Sequence, residues 1–237
     1  MSKGPLAVRF GAWPHVAPQA GAVEHVDVHV ENGGTVAWRE GMGISVAYHW
    51  LDGRGNPIVW DGLRTPAPQL APGAAETVEV RVRAPIPPGG YRLAFDMVAE
   101  NRAWFSELGS EQLVHDVVVD PRTGEPRIDL PDWVVPAEDW ADRVEAAHAE
   151  GYAVVAGAIE WEGFHRPRAL APYIPGSGRM PGFAAPLLCP SVLPGVELEP
   201  LDEVSGLPAF APPRGEPWVY DGRIVLTARS RSGRRPT

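Results

Sequence analysis

The chain has 237 residues, and 30 Asp and Glu against 21 Lys and Arg give it a formal net charge of −9. An acidic chain has no general basic surface for phosphates, so we expect no nucleic-acid partner and no general affinity for anionic membranes. The 44% hydrophobic fraction and nine Trp argue for a folded protein despite 27 Pro and 26 Gly, and the length favours two modest domains.

The compartment is predicted from the cysteine count and the first residues. The opening residues MSKGPLAVRF contain no apolar stretch like that of a secretory signal peptide. The sequence also has no run of about 18 apolar residues, so we predict no membrane-spanning helix. The single cysteine, Cys189, has no second cysteine with which to form an internal disulfide. We therefore expect a cytoplasmic protein. The arginine-rich last fifteen residues are expected to be a solvated tail, with contact to an anionic partner as the alternative.

Short strands are predicted throughout the leading half. Residues 23–30, VEHVDVHV, alternate valine with polar side chains, which indicates a strand with one buried face. Residues 76–84, ETVEVRVRA, show the same alternation. Further strands are predicted at 44–51, 57–60, 91–100 and 113–119. Six or seven short strands separated by turn residues predict a mainly β fold, with an immunoglobulin-like (Ig-like) antiparallel β-sandwich over residues 1–120.

Several of these segments resemble a known family. The runs NGGTVAW (32–38), APG (71–73) and RAPIPPGGYRLAFDM (83–97) resemble tryptophan-rich Ig-like domains, which include the four-tryptophan domain of selective-autophagy receptors and bacterial relatives. The runs at 48–68 and 91–107 are similar to Ig-like modules attached to bacterial glycosyltransferases and other surface-polysaccharide proteins. The resemblance covers about residues 20–119 and implies a role in bacterial glycan metabolism.

The trailing half, residues 121–237, is predicted to be a small Pro-rich α+β appendage. Helical spacing of apolar residues predicts one helix over 137–150, ended by Gly151 and followed by a buried strand. Eleven prolines between 172 and 217 predict irregular structure there, because proline cannot donate to a β-ladder. The Asp-Gly pair at 221–222 predicts a hairpin turn between strands at 218–220 and 223–228.

The tryptophans of the leading half suggest a ligand site. Trp50 continues the inward face of its strand and is assigned to core packing. Trp60 and Trp104 lie nearer to loops, where an indole face can stack on the C–H face of a sugar ring. Packing in a core or an interface is the alternative for both. The polar side chains proposed to orient sugar hydroxyls beside them are Arg64, Asp96 and Glu100.

Metal binding is considered at one strand. His25, Asp27 and His29 share the polar face of residues 23–30 and have the side-chain types that bind zinc or nickel. Same-face neighbours on a strand are roughly 7 Å apart, so the three side chains share an ion only by leaning together. We interpret them as a polar outer face and expect no metal and no other cofactor.

Two sets of residues in the trailing half are candidates for catalysis. Glu160, Glu162 and His165 follow a predicted strand, where an acid and a base can converge for proton transfer. Pairing with nearby arginines is the alternative. Cys189 follows two leucines and is expected to be buried and inert rather than a nucleophile. The glycine-rich run at 175–182 lacks the Lys-Ser/Thr ending of a phosphate-binding loop, so we expect a flexible loop there.

These observations favour a non-catalytic binding or scaffold module associated with bacterial polysaccharide biosynthesis, which recognises a saccharide or a partner enzyme. The first alternative is a compact glycan-modifying transferase or hydrolase that has its site between the two parts and uses Glu160, Glu162 or His165. The second alternative is a structural protein that self-assembles into a homo-oligomer through sheet edges or the Pro-rich segment.

Overall fold

A computed structural model describes residues 4–162, 186–204 and 206–229. The chain is mainly β and contains several antiparallel sheets. It divides into two compact units, Met1–Asp120 and Pro121–Thr237. No helix within the described ranges is long and apolar enough to cross a membrane.

The first unit is built from strands in two antiparallel sheets. In chain order the strands are β1 (Val8–Phe10), β2 (Val23–Asn32), β3 (Ile44–Leu51), β4 (Pro57–Val59), β5 (Thr65–Pro66), β6 (Ala75–Arg83), β7 (Gly89–Ala99), β8 (Ala103–Trp104) and β9 (Leu113–Val119). One sheet has the order β1-β2-β6. The other has the order β4-β3-β7-β8, with β5 also pairing with β3 and β9 also pairing with β7.

The alternation in the sequence decides which side chains these sheets bury. Val26 and Val28 of β2 lie opposite Val80 and Val78 of β6, and the polar residues between them face outward. Side chains from both sheets form one hydrophobic core. Its largest fully buried members are Trp38, Trp50, Tyr48, Phe95 and Phe105. Each large apolar side chain removed from water stabilises the fold by about 1.5–3 kcal/mol. Trp50 is fully buried, as its strand position predicts.

The second unit combines one helix with two sheets in the described residues. Its elements are β10 (Arg127–Ile128), β11 (Val134–Pro136), α1 (Trp140–Glu150), β12 (Val154–Trp161), β13 (Leu187–Leu188), β14 (Ser191–Val192), β15 (Pro200–Val204), β16 (Leu207–Phe210) and β17 (Trp218–Ala228). The larger sheet has the order β10-β14-β12-β17-β11, in which only β12 and β17 run parallel. The smaller sheet is antiparallel, with the order β13-β16-β15.

The helix begins three residues later than the sequence predicts. It buries Trp140, Val144 and His148, which are spaced four residues apart on one face. Gly151 ends it as predicted, with φ of 121° and its N–H donating to the carbonyl oxygen of His148 at 2.9 Å. The sequence predicts an irregular Pro-rich segment, but in its described part β13, β14, β15 and β16 form short strands, of which β15 includes Pro200 and β16 includes Pro208.

The predicted hairpin at Asp221–Gly222 is wrong. Both of its halves belong to the single strand β17, whose residues 218–221 and 225–228 pair in parallel with β12. The register shifts between Gly157 and Ala158, so residues 222–224 form a bulge in β17 instead of a turn. Gly157 lies opposite this bulge, where an added Cβ would collide with the carbonyl oxygen of Ile224.

Candidate functional site

The outer face of the six-stranded sheet carries a histidine and an aspartate. Tyr48 and Trp50 of β3 point into the core, so His49 between them points to the opposite face. Asp96 of β7 occupies the same face, between Phe95 and Met97. His49 lies opposite Ala94 and Asp96 lies opposite Ala47, which makes His49 and Asp96 diagonal neighbours. Both are buried, at 0% and 1% exposed.

Two tryptophans cover His49. Trp60 directly follows β4 beside β3, and Trp104 lies in β8 beside β7, so the two indoles approach His49 from either side. The His49 ring stacks on Trp60 with 4.1 Å between ring centroids and 19° between planes. It meets Trp104 edge to face at 4.5 Å, and the two indoles are 6.0 Å apart at 70°. We call Trp60 and Trp104, with His49 beneath them, the tryptophan platform.

The platform presents one accessible aromatic face. Trp60 is 49% exposed although one of its faces stacks on the buried imidazole, so the opposite face is open to solvent. Trp104 is only partly exposed. A half-exposed indole that stacks on a buried ring is an apolar surface of fixed orientation. A ligand that binds such a surface causes little further loss of side-chain entropy.

Hydrogen bonding fixes the imidazole. Its Nδ1 donates to the backbone carbonyl oxygen of Trp60, because a carbonyl oxygen only accepts. Its Nε2 lies 3.7 Å from Oδ2 of Asp96, too far for a hydrogen bond, and it has no other hydrogen-bond partner among the described residues. His49 therefore contacts Trp60 through both its ring and its hydrogen bond.

The Asp96 carboxylate is held by donors on three sides. Its Oδ1 accepts from the backbone N–H of Met97 at 2.7 Å and of Ser106 at 3.2 Å, and its Oδ2 accepts from Nε2 of Gln112 at 3.0 Å. Burial on its own raises the pKa of Asp96, but the contacts with His49 and these donors outweigh burial and lower the pKa below its usual value. Asp96 is therefore ionised beneath the platform at neutral pH.

Arg64 lies over Trp104 and joins two carboxylates. Its guanidinium carbon is 4.9 Å from the centroid of the Trp104 ring, within the range of a cation–π contact. Its Nε donates to Glu100 at 2.7 Å and its Nη1 to the carbonyl oxygen of Gly62 at 3.0 Å, while its Nη2 pairs with Asp61. Three of the five N–H donors of Arg64 are thus used by protein acceptors.

The structure brings together all five residues that the sequence suggested for ligand contact, and it separates their roles. Trp60, Arg64, Glu100 and Trp104 reach the surface around the platform, whereas Asp96 lies beneath it and cannot touch a ligand. His49 and Asp61 are site residues that the sequence does not predict. In the sequence His49 stands between two inward-facing aromatic residues of β3, which predicts that it lies on the outer face of the strand. This position does not predict that two indoles pack over it and bury it.

The histidine-bearing face of β2 forms cross-strand contacts instead of one cluster. Nδ1 of His25 lies 2.8 Å from Oε1 of Glu79, and Nδ1 of His29 lies 3.4 Å from Oγ1 of Thr77. Asp27 is exposed between them. Within the described ranges no three His, Cys, Asp or Glu side chains are arranged to hold a metal ion.

The described catalytic candidates of the second unit are solvent-facing or inert. Glu160 and Glu162 are exposed, and Oε2 of Glu162 lies 3.8 Å from Nε of Arg229. His165 and the glycine-rich run at 175–182 lie outside the described residues. Cys189 is buried, and burial raises the pKa of its thiol to about 11, with the nearby charge of Asp129 adding to the effect. Its thiolate is therefore not available as a nucleophile at neutral pH.

Comparison with family models and with curated proteins finds no match to this chain. Among solved structures, the chain is similar to a β-glucosidase from Listeria innocua in complex with gluconolactone, at 16% identity and a TM-score of 0.30. The alignment covers 47% of this chain but spans only 15% of the length of that enzyme.

Proposed function

We propose that the first unit is an Ig-like β-sandwich that serves as a non-catalytic saccharide-binding module in bacterial glycan biosynthesis, acting in the cytoplasm. The observation that carries the binding proposal is the open face of Trp60, which is half exposed and held flat by a buried histidine. The glycan context rests on the resemblance of the segments at 48–68 and 91–107 to Ig-like modules of polysaccharide proteins.

Strand order supports the Ig-like assignment. Ig-type sandwiches place their first, second, fourth and fifth strands in one sheet and their third, sixth and seventh in the other. The fourth strand has no counterpart in the three-stranded sheet of the described residues. Here β1, β2 and β6 form one sheet, and β3, β7 and β9 belong to the other together with the short β4, β5 and β8. The buried Trp50 lies on β3, at the place of the core tryptophan of that fold.

A tyrosine contact supports the same assignment. Ig-type sandwiches commonly have a tyrosine near the start of the sixth principal strand, with its hydroxyl bonded to the backbone a few residues upstream. Tyr91 lies at the start of β7, and its hydroxyl donates to the carbonyl oxygen of Pro87 at 2.6 Å. Tyr91 also meets Trp50 edge to face at 6.1 Å.

The chemistry of the platform favours a sugar. The C–H face of a pyranose is apolar and flat enough to stack on an indole, while its rim carries hydroxyl groups that need hydrogen-bond partners. Trp60 offers the stacking face, and the exposed carboxylates of Asp61 and Glu100 are joined to Trp104 through Arg64. An apolar surface with a few fixed polar groups beside it is the usual composition of a small-molecule site.

A partner protein is the second candidate ligand, and the apolar side chains near the platform favour it. Ile58 of β4 is 46% exposed, and Val114 of β9, which pairs with Ala94 opposite His49, is 44% exposed. Exposed apolar side chains on one sheet mark interaction surfaces when they form a continuous patch. A partner enzyme of glycan synthesis fits this alternative.

Trp60→Ala tests the saccharide proposal. Soluble glucans, mannans and galactans are immobilised, and retention of the whole chain is measured by biolayer interferometry. We expect the unmodified protein to bind at least one of them and Trp60→Ala to lose at least about tenfold in affinity, or ~1.4 kcal/mol, because the stacking face is gone. Ile58→Ala, an exposed apolar change two residues away, should leave the affinity unchanged. Equal loss in both variants, or no retention of the unmodified protein, contradicts the proposal.

A further inference from the structure

The charges that touch the tryptophan platform are mostly negative. Arg64 lies over Trp104 and is paired with both Asp61 and Glu100. A third carboxylate, Glu107, accepts a hydrogen bond from the backbone N–H of Trp104 at 3.1 Å. Among the described residues, two carboxylates therefore pair with Arg64 and a third, Glu107, contacts the backbone of Trp104.

The guanidinium has little to offer a ligand. Three of its five N–H donors, one each on Nε, Nη1 and Nη2, are directed at Glu100, the Gly62 carbonyl oxygen and Asp61, and its side chain is only 28% exposed. An anionic group on a ligand would have to compete with two carboxylates that already hold Arg64. It would also approach their charges closely, where like charges repel.

The carboxylates, in contrast, remain accessible as acceptors. The side chain of Asp61 is 69% exposed and that of Glu100 is 42% exposed, and each carboxylate has more lone pairs than its contact with Arg64 uses. Carboxylate oxygens accept hydrogen bonds from hydroxyl groups, and such charge-assisted bonds are stronger than neutral ones. A ligand that lies on Trp60 thus meets acceptors at its rim and needs donors.

We infer that the platform takes neutral pyranose rings, whose hydroxyls donate to Asp61 and Glu100, and that it rejects uronic acids and other acidic sugars. This inference rests on the proposed saccharide-binding function and adds the class of sugar. Arg64 acts as a positioning residue in this site, because it holds the two carboxylates beside Trp104 instead of binding an anion itself.

The test compares two classes of polymer. Neutral glucan, mannan and galactan and the acidic polymers alginate and polygalacturonate are immobilised, and binding of the whole chain is measured at low and at moderate salt. We expect Trp60-dependent binding to a neutral polymer and at least about tenfold weaker binding to both acidic ones. Trp60-dependent binding of an acidic polymer with equal or higher affinity overturns the inference and leaves the proposed function standing. Binding to neither class contradicts the proposed function itself.

A charge-removing variant sharpens the test. Asp61→Asn/Glu100→Gln frees Arg64 from both carboxylates, so we expect it to gain alginate binding at low salt, to lose that binding at moderate salt, and to bind the neutral polymer several-fold more weakly. Asp27→Asn/Glu76→Gln makes the same change of net charge on the three-stranded sheet and should gain nothing. Melting temperatures of both variants show that they are folded. Equal alginate binding by the two variants overturns the inference.

Discussion

His49 is a buried polar residue on which the exposed part of the site depends. It touches Trp60 through ring stacking and through a hydrogen bond, and it meets Trp104 edge to face. A buried polar group is costly unless its partners are arranged around it. The His49 ring therefore fixes the orientation of Trp60 at the surface, and its Nε2 faces the Asp96 carboxylate at 3.7 Å without a hydrogen bond.

Substitutions at His49 should separate its two contacts with Trp60. His49→Ala leaves a cavity under both indoles and should lower the free energy of unfolding by about 2–4 kcal/mol, as other large-to-small core changes do. His49→Phe keeps the stacking surface but loses the donor to the Trp60 carbonyl oxygen, so its cost should be smaller. Urea denaturation measures both. Substitution of the exposed His25 by Ala serves as control and should change the free energy of unfolding by no more than about 0.5 kcal/mol. A His49→Ala change that is equally small contradicts the proposed packing role of His49.

The sequence predicts individual site residues only where their surroundings are local. Trp60 and Trp104 were expected near loops, and the structure places both at strand ends beside the sheet. His49 and Asp96 follow from strand alternation as outward residues, and outward residues are normally solvated. His49 is covered by indoles that lie 11 (60 − 49) and 55 (104 − 49) residues further along the chain, and Asp96 is bonded by Ser106 and Gln112, so no local pattern indicates this burial.

The elements of the second unit are joined by another buried histidine. Nδ1 of His148, near the end of α1, donates to the carbonyl oxygen of Tyr152, and its Nε2 accepts from the Ser191 hydroxyl of β14, both at 2.8 Å. Because Nδ1 carries the proton that the carbonyl oxygen requires, the neutral ring fits both partners. Ser191 and His148 are 1% and 4% exposed, so this pair connects elements and is not a reactive dyad at the surface.

The stability of the second unit should depend on pH through His148. Burial lowers the pKa of His148 below its usual 6.5, the hydrogen bond to Tyr152 opposes this, and Arg122 adds to the lowering. The unfolded chain then binds more protons than the folded one below about pH 6.5. The contribution of His148 to the free energy of unfolding is therefore complete above that pH. It is lost as the pH falls from about 6.5 towards the lowered pKa of His148 in the folded state.

Urea denaturation at pH 7.5 and pH 5.5 tests this dependence. We expect His148→Gln, which keeps an acceptor but cannot protonate in this range, to be less stable than the unmodified protein at pH 7.5. The difference between the two proteins should narrow at pH 5.5. Ser191→Ala removes the partner of Nε2 but keeps the His148 ring that titrates. The free energy of unfolding of this variant should therefore still depend on pH. A difference that stays constant or widens as the pH falls contradicts the assignment.

Element types were easier to predict than element pairing. The helix, its glycine end and the strand after it follow from local spacing and appear within a few residues of their predicted positions. The Asp-Gly pair failed as a hairpin signal because β17 pairs with β12, about sixty residues earlier, which the dipeptide does not encode. Tight packing of Gly157 against Ile224 accompanies that pairing and is equally non-local.

The two units differ in how far their sequence determines their architecture. In the first unit strict alternation in β2 and β6 leaves one face for burial, so two sheets facing a common core are the expected outcome. In the second unit a parallel strand pair, short antiparallel strands and many prolines carry no comparable periodic signal. The described architecture places the candidate ligand surface on the first unit.

The central claim is that Trp60 contacts a saccharide while the core tryptophans do not. Indole N–H signals of the ¹⁵N-labelled whole chain, assigned with Trp→Phe variants, measure this directly during titration with neutral gluco-, manno- and galacto-oligosaccharides. We predict that one of these sugars shifts the Trp60 signal most and the Trp104 signal less, while those of the buried Trp38 and Trp50 stay in place. An unmoved Trp60 signal with every sugar, or shifts confined to other tryptophans, would contradict the account.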